Sequence, residues 1–194
     1  MRAGFSLIEL LITFALMVVM VSMLYGFSSA RHQKNQKQLC ADNLQKIFLA
    51  AQIYAQDFRG QFPVVTNAVT SEEPLGLLVP KYSTDTSIFI CPGGRDSEIP
   101  AGEPLRARKI SYAYFMGRRA DNSQNFLCTD RLVDISPKQT GQQIFSTDGK
   151  TPGNNHHKYG GNFLLCDGSV SASKSLLELT GFTTNGLTLL NPKP

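Results

Sequence analysis

Cysteine is scarce in this sequence, and the common catalytic signatures are missing. Four cysteines, Cys40, Cys91, Cys128 and Cys166, are spread over 194 residues and none stands in a C-x-x-C pair, which argues against zinc-ribbon and thioredoxin-like chemistry. There is no Gly-x-Ser-x-Gly elbow, no His-Glu-x-x-His pair and no phosphate-binding glycine loop. A nucleophile, a base and an oxyanion site thus have no recognisable place, and no enzymatic activity is expected. Charge is sparse too. Charged residues make up 18% and the formal net charge is +4, which permits weak attraction to anionic surfaces without arguing for a polyanionic partner. Internal repeats and low-complexity tracts are absent, and a hydrophobic content of 42% suits a folded domain.

The most informative absence is of charge between Phe5 and Phe27. Glu9 is the only charged side chain in those 23 residues. As a helix at about 1.5 Å per residue the run covers roughly 35 Å, enough to cross a bilayer core of about 30 Å. A carboxylate in such a span costs on the order of 2.5–3.5 kcal/mol and calls for a functional explanation. A plain anchor has no use for it. An anchor that later packs beside identical helices, and meets a positive partner there, does. Two other readings stay open. One is a secretory signal peptide cut after Ser28-Ser29-Ala30, although its apolar region would exceed the usual length of about 7–15 residues. The other is an unprocessed single-pass anchor. Arg2 flanks one end of the run and Arg31, Lys34 and Lys37 the other, so the positive-inside bias alone places the bulk of the chain in the cytoplasm.

Met1-Arg2-Ala3-Gly4 followed by Phe5-Ser6-Leu7-Ile8-Glu9 resembles the cleavage and methylation signal of type IV prepilins and type II secretion pseudopilins. The resemblance implies a cut between Gly4 and Phe5 by a prepilin peptidase, N-methylation of Phe5, and pairing of Glu9 with the terminal amine of a neighbouring subunit during filament assembly. Against the positive-inside count, it implies a single-pass protein of the bacterial inner membrane with its ectodomain in the periplasm. It further implies polymerisation with copies of itself and with other pseudopilins on an inner-membrane assembly platform. The expected function is a structural subunit of a type II secretion pseudopilus or a related type IV pilus-like filament. The alternative is a minor or tip pilin whose ectodomain binds substrate, a surface or DNA.

Beyond Phe27 the sequence turns polar through Arg31-His32-Gln33-Lys34-Asn35-Gln36-Lys37-Gln38 without a proline, so the helix can continue. Cys40, Leu44, Ile47, Phe48, Ala51, Tyr54, Ala55 and Phe58 then recur at steps of three and four, marking one apolar face. Gly60 and Pro63 stop it, and Gly26 is a point where the helix can loosen. The expected organisation is a leader over residues 1–4, a transmembrane and assembly helix over 5–27, its amphipathic continuation over 28–60, and a globular β-rich domain over 61–194.

In that domain, prolines punctuate short apolar runs. Leu75 to Val79 suits a single helical turn, and Ile88-Phe89-Ile90 a short buried segment. Ile110–Phe115, Asn125–Cys128, Gln143–Ser146, Asn162–Cys166 and Ser169–Ser173 read as strands, the last two joined by an Asp167-Gly168 hairpin. Ser175 with Glu178 suits the cap of a short closing helix. The fold class is α+β, a long N-terminal helix on a small antiparallel sheet, which is also the pilin arrangement.

An even number of cysteines outside the cytoplasm fits two disulfides, and three pairings are possible. The expected pairing is Cys40–Cys91 with Cys128–Cys166, closing 51 and 38 residues and contributing about 4 kcal/mol each if unstrained. Four buried free thiols are the alternative.

His157 and Asp167-Gly168 resemble a C-terminal His-x9-Asp-Gly signature found in a group of pseudopilin-like proteins, and Asn43–Ile47, Phe62-Pro63, Cys91-Pro92 and Ser111–Tyr114 also look like that group. Major pseudopilins of type II secretion carry calcium in a C-terminal loop, which makes His157, Asp167, His156 and Asp148 metal candidates. Calcium, however, wants six to eight oxygens, and zinc three or four convergent ligands. The simpler expectation is no cofactor, with Asp167 a turn residue and His157 fixing the loop before the last hairpin. Arg106, Arg108, Lys109, Arg118 and Arg119 flank Tyr112-Ala113-Tyr114-Phe115. Such a pattern can hold single-stranded DNA by charge and stacking, but a solvated rim beside a core strand is expected, and no nucleic-acid partner.

Overall fold

The computed structural model describes residues 6–100, 102–121, 123–177 and 188–194, without the side chains of residues 25–30. One helix, α1 (Leu7–Asp57), runs for 51 residues, unbroken through Gly26. At 1.5 Å per residue it is roughly 75 Å long. Its apolar spacing becomes a buried stripe only from Cys40: Cys40, Leu44, Ile47, Ala51, Tyr54 and Ala55 are buried, Phe48 is partly covered, and Phe58 stays half exposed at the rim, stacked on Tyr54 with ring centroids 4.1 Å apart. The helix ends where Arg59 and Gly60 take positive φ (55° and 80°), and the Gly60 N–H joins the Phe58 N–H on the Ala55 carbonyl, at 2.7 and 3.2 Å, closing the last turn.

Five strands form one antiparallel sheet: β1 (Tyr112–Met116), β2 (Phe126–Asp130), β3 (Gly161–Leu165), β4 (Val170–Ser173) and β5 (Thr188–Leu190), in the order β4-β3-β2-β1-β5. The twofold alternation of strand side chains divides the core. Tyr112, Tyr114 and Met116 of β1 and Leu164 of β3 face α1, while Ala113, Phe115 and Phe163 face the other way, into a second cluster with Leu132, Ile144, Phe145 and Leu177. Loops cover that second face, so β1 and β2 are buried along their whole length and read as near-continuous apolar runs. Each large side chain removed from water in this way stabilises the fold by about 1.5–3 kcal/mol before entropy is counted.

Four of the expected strands form, with bounds shifted by one or two residues. Leu75–Val79 is the end of a short helix α2 (Glu72–Leu75) and a 3₁₀ turn over Gly76–Leu78, and the Ile88 segment is a second 3₁₀ turn over Ser87–Phe89. Gln143–Ser146 is not a strand. Ile144 and Phe145 both donate to the Ser175 carbonyl, Ser146 donates to Gly153, and Ile144 accepts from Val133, so the backbone bonds several segments with no single partner strand. The apolar run is explained by Ile144 and Phe145 filling the second core. β5, which pairs Leu189 with Phe115 and Leu190 with Tyr114 on the far edge, was not expected. The Ser175–Glu178 cap falls partly outside the described residues at Glu178.

The second disulfide is also corrected. Cys40 and Cys91 are bonded, but Cys128 and Cys166 are buried free thiols. The β2–β3 register sets Cys128 opposite Leu164, which puts Cys166 on the diagonal. Diagonal partners stand about 7–8 Å apart, beyond disulfide reach. The Cys128 thiol donates instead to the Ala113 carbonyl at 3.0 Å.

Candidate functional site

Two features of this fold bear on function. The first is the free half of α1. Every described side chain from Leu7 to Leu24 is exposed, Leu7 at 81% and Leu24 at 70%. This stretch has a mean hydropathy of 2.5 and is long and apolar enough to cross a membrane. The hydroxyls within it are masked. Thr13 Oγ1 donates to the Leu10 carbonyl at 2.9 Å and Ser22 Oγ to the Val19 carbonyl at 2.8 Å, so neither presents an unsatisfied donor to lipid. Glu9 alone carries charge there, in the first turn of α1, where the helix dipole favours an anion. Gly4 and Phe5 lie outside the described residues.

The second feature is a buried polar cluster that ties α1 to the domain. Asp130, at the end of β2, and His156 are both fully buried. His156 Nε2 lies 3.1 Å from Asp130 Oδ2, and since a carboxylate only accepts, Nε2 carries the proton. Asn155 Nδ2 donates to Oδ1 at 3.0 Å, and the Asn162 backbone N–H and Nδ2 donate to Oδ2 at 2.8 and 3.2 Å. Burial by itself would raise the Asp130 pKa, but the imidazole and these donors outweigh it and hold the carboxyl below its usual range. Asn162 Nδ2 also donates to the Lys37 carbonyl at 2.9 Å, and Lys37 Nζ donates to the carbonyls of Tyr159 and Ser173 at 3.0 and 2.8 Å. Burial lowers the Lys37 pKa, opposed by the nearby Asp130 charge.

The disulfide lies against this cluster, with Cys91 Sγ 3.7 Å from His156 Nε2. The loop that follows Cys91 fits around the imidazole because it is glycine. A Cβ on Gly93 would stand 2.4 Å from the Asn155 carbonyl oxygen and 2.9 Å from His156 Nδ1. A second buried chain of bonds fixes the same loop: the Cys91 N–H donates to Ser111 Oγ (2.9 Å), Ser111 Oγ to Asp96 (2.7 Å), and Arg131 pairs with Asp96 at 3.1 Å.

The sequence-derived metal candidates do not converge. Asp167 caps the β3–β4 turn, accepting from the Ser169 N–H and Oγ at 2.8 and 2.6 Å. Gly168 carries that turn against α1, since a Cβ there would meet the Phe48 ring at 2.5 Å. Asp148 accepts from Ser146 Oγ and the Lys150 N–H. His157, at φ 55°, lays its ring over Gly149. Among the described residues the only grouping of three or more His, Cys, Asp or Glu donors is Cys40, Cys91, Asp130 and His156. The sequence marks His156 as a metal candidate and Cys40 with Cys91 as a bonded pair, but Asp130 comes from a distant strand and carries no signal. Tyr112, Tyr114 and Phe115, which a stacking surface would need, are buried in the sheet. Arg118 is buried and donates to the Phe126 carbonyl, Arg119 donates to the Arg59 carbonyl, and Arg108 pairs with Glu103.

No curated protein and no solved structure matches the chain. A family model, the prokaryotic N-terminal methylation motif, matches residues 1–25. The exposed apolar end of α1, with Glu9 in its first turn, is thus the helical part of a prepilin-type processing and methylation signal.

Proposed function

We propose that this chain is a structural subunit of a type II secretion pseudopilus or a related type IV pilus-like filament. In this reading a prepilin peptidase cuts between Gly4 and Phe5, and Phe5 is N-methylated. The apolar end of α1 holds the subunit in the bacterial inner membrane, with the β-rich domain in the periplasm, until it joins the filament. The observation that carries the proposal is the exposure of Leu7–Leu24 along a helix whose other half is packed. That surface needs lipid before assembly and neighbouring helices after it. The role is structural and non-enzymatic. Labelling sheared filaments with antibody to the ectodomain tests it. Labelling along their length is expected; labelling confined to one end would favour a tip subunit that binds a ligand, and absence from filaments would reject the assembly reading.

A further inference from the structure

Cys40, Cys91, His156 and Asp130 come from four separate places: α1, the loop after Ile90, the loop before β3, and the end of β2. Their donor atoms all lie within 4.8 Å of one another, and all four residues are buried. A four-coordinate ion with bonds of about 2.0–2.3 Å to N, O and S has tetrahedral edges of roughly 3.3 Å between N and O and roughly 3.5 Å between N and S. The corresponding separations are 3.1 Å from His156 Nε2 to Asp130 Oδ2 and 3.7 Å from Cys91 Sγ to His156 Nε2. Two edges of a tetrahedron therefore exist before any metal enters. The surroundings also suit a closed structural site, because Asn155, donating to Oδ1, and Asn162, donating to Oδ2, already fix the carboxylate. His156 Nδ1 is buried with no partner, so it is free to carry the ring proton when Nε2 takes another role.

The geometry points to a site for one zinc ion, formed by Cys40, Cys91, His156 and Asp130 when the Cys40–Cys91 bond is reduced. A dithiol or phosphine reductant supplies two electrons to the S–S bond and is itself oxidised, and two protons complete the thiols. Zinc then binds two thiolates, the Asp130 carboxylate and Nε2. The two thiol protons leave to solvent, and the Nε2 proton relocates to Nδ1. Two sulfurs, one imidazole and one carboxylate match zinc better than calcium or magnesium. Both sulfurs are sealed in the folded domain, so the choice between bond and metal falls as the domain closes. Either way the same turn of α1 is stapled to the same loop.

The test uses the full chain in detergent. It is reduced with a phosphine in denaturant without oxygen, then refolded with increasing Co2+. The expected result is a thiolate-to-cobalt charge-transfer band with intense visible bands of a tetrahedral ion, saturating at one Co2+ per chain and bleached by one Zn2+. The oxidised protein should show neither. Cys128→Ala with Cys166→Ala should leave the signal intact, whereas Asp130→Asn and His156→Ala should weaken binding by at least about tenfold, since even the loss of a group that only orients a ligand costs about 10–100-fold. Circular dichroism reports folding of each variant. Should a variant not refold, the contrast between oxidised and reduced protein carrying the Cys128 and Cys166 replacements still decides. The inference is overturned by a refolded reduced chain without these bands, by bands that vanish with Cys128 and Cys166, by equal binding to oxidised protein, or by a reduced chain that metal does not fold.

Discussion

At the scale of single residues, the hairpin glycine shows how a short turn signal carries a tertiary requirement. Asp-Gly was legible as a turn because Asp bonds its own backbone and Gly accepts positive φ; Gly168 has φ 87°. The sequence did not show that the turn lands on Phe48 of α1. Gly168→Ala is therefore expected to lower stability by about 1–3 kcal/mol through overpacking, on top of backbone strain. Adding Phe48→Ala should remove the crowding and give a smaller combined loss than the sum of the two changes. Denaturant midpoints of the four proteins in one detergent measure the coupling. Other residues were legible only in part. Glu9 stands out in any reading because nothing near it is charged. Asp130 and His156 do not, since strand register and loop path alone bring them together across 26 positions.

At the scale of elements, periodicity found α1 and its buried stripe because a helix face is a local property. It failed for Gln143–Ser146, where a loop fills a core and pairs only through a single bridge from Gln143 to Leu176, and for Thr188–Leu190, three residues too short to display alternation. It also failed for the second disulfide, since spacing says nothing about register. Non-reducing peptide mapping should recover Cys40–Cys91 with Cys128 and Cys166 free. The Cys40–Cys91 bond closes 51 residues, and in the loop-entropy view Cys40→Ala lowers stability by about 4 kcal/mol. Cys166→Ala should cost far less, although burial pushes that thiol up to about 12, because no cross-link is lost. Chemical denaturation of the oxidised proteins separates the two. For the free half of α1 the decisive change is Glu9→Val. In lipid a lone carboxylate is a cost; beside a cationic amine in a neighbouring subunit it is half of a buried pair, and stranding one partner costs about 3–5 kcal/mol. Glu9→Val should enter membranes at least as well as wild type yet yield few filaments. Wild-type filament yield from this variant would remove Glu9 from assembly.

At the scale of the whole molecule, the chain has one apolar arm and one two-faced domain, joined by a continuous helix. The proposed processing sets the length of that arm. The mature protein is expected to begin at N-methylated Phe5, which intact mass and the N-terminal peptide will show. A terminus at Arg31 would instead release the domain without its arm and end the filament reading.

The position of the Cys40–Cys91 bond has a mechanical consequence. Tension applied to α1 from its N-terminal end meets its first firm attachments at Lys37, bonded to the Tyr159 and Ser173 carbonyls, and at the buried Cys40. A helix held only by packing would peel from that end turn by turn, breaking a few contacts at each step. With Cys40 covalently joined to Cys91, the first turn cannot lift alone. The load passes into the loop and sheet behind it, and the contacts from Leu44 to Ala55 must then give way together, in shear.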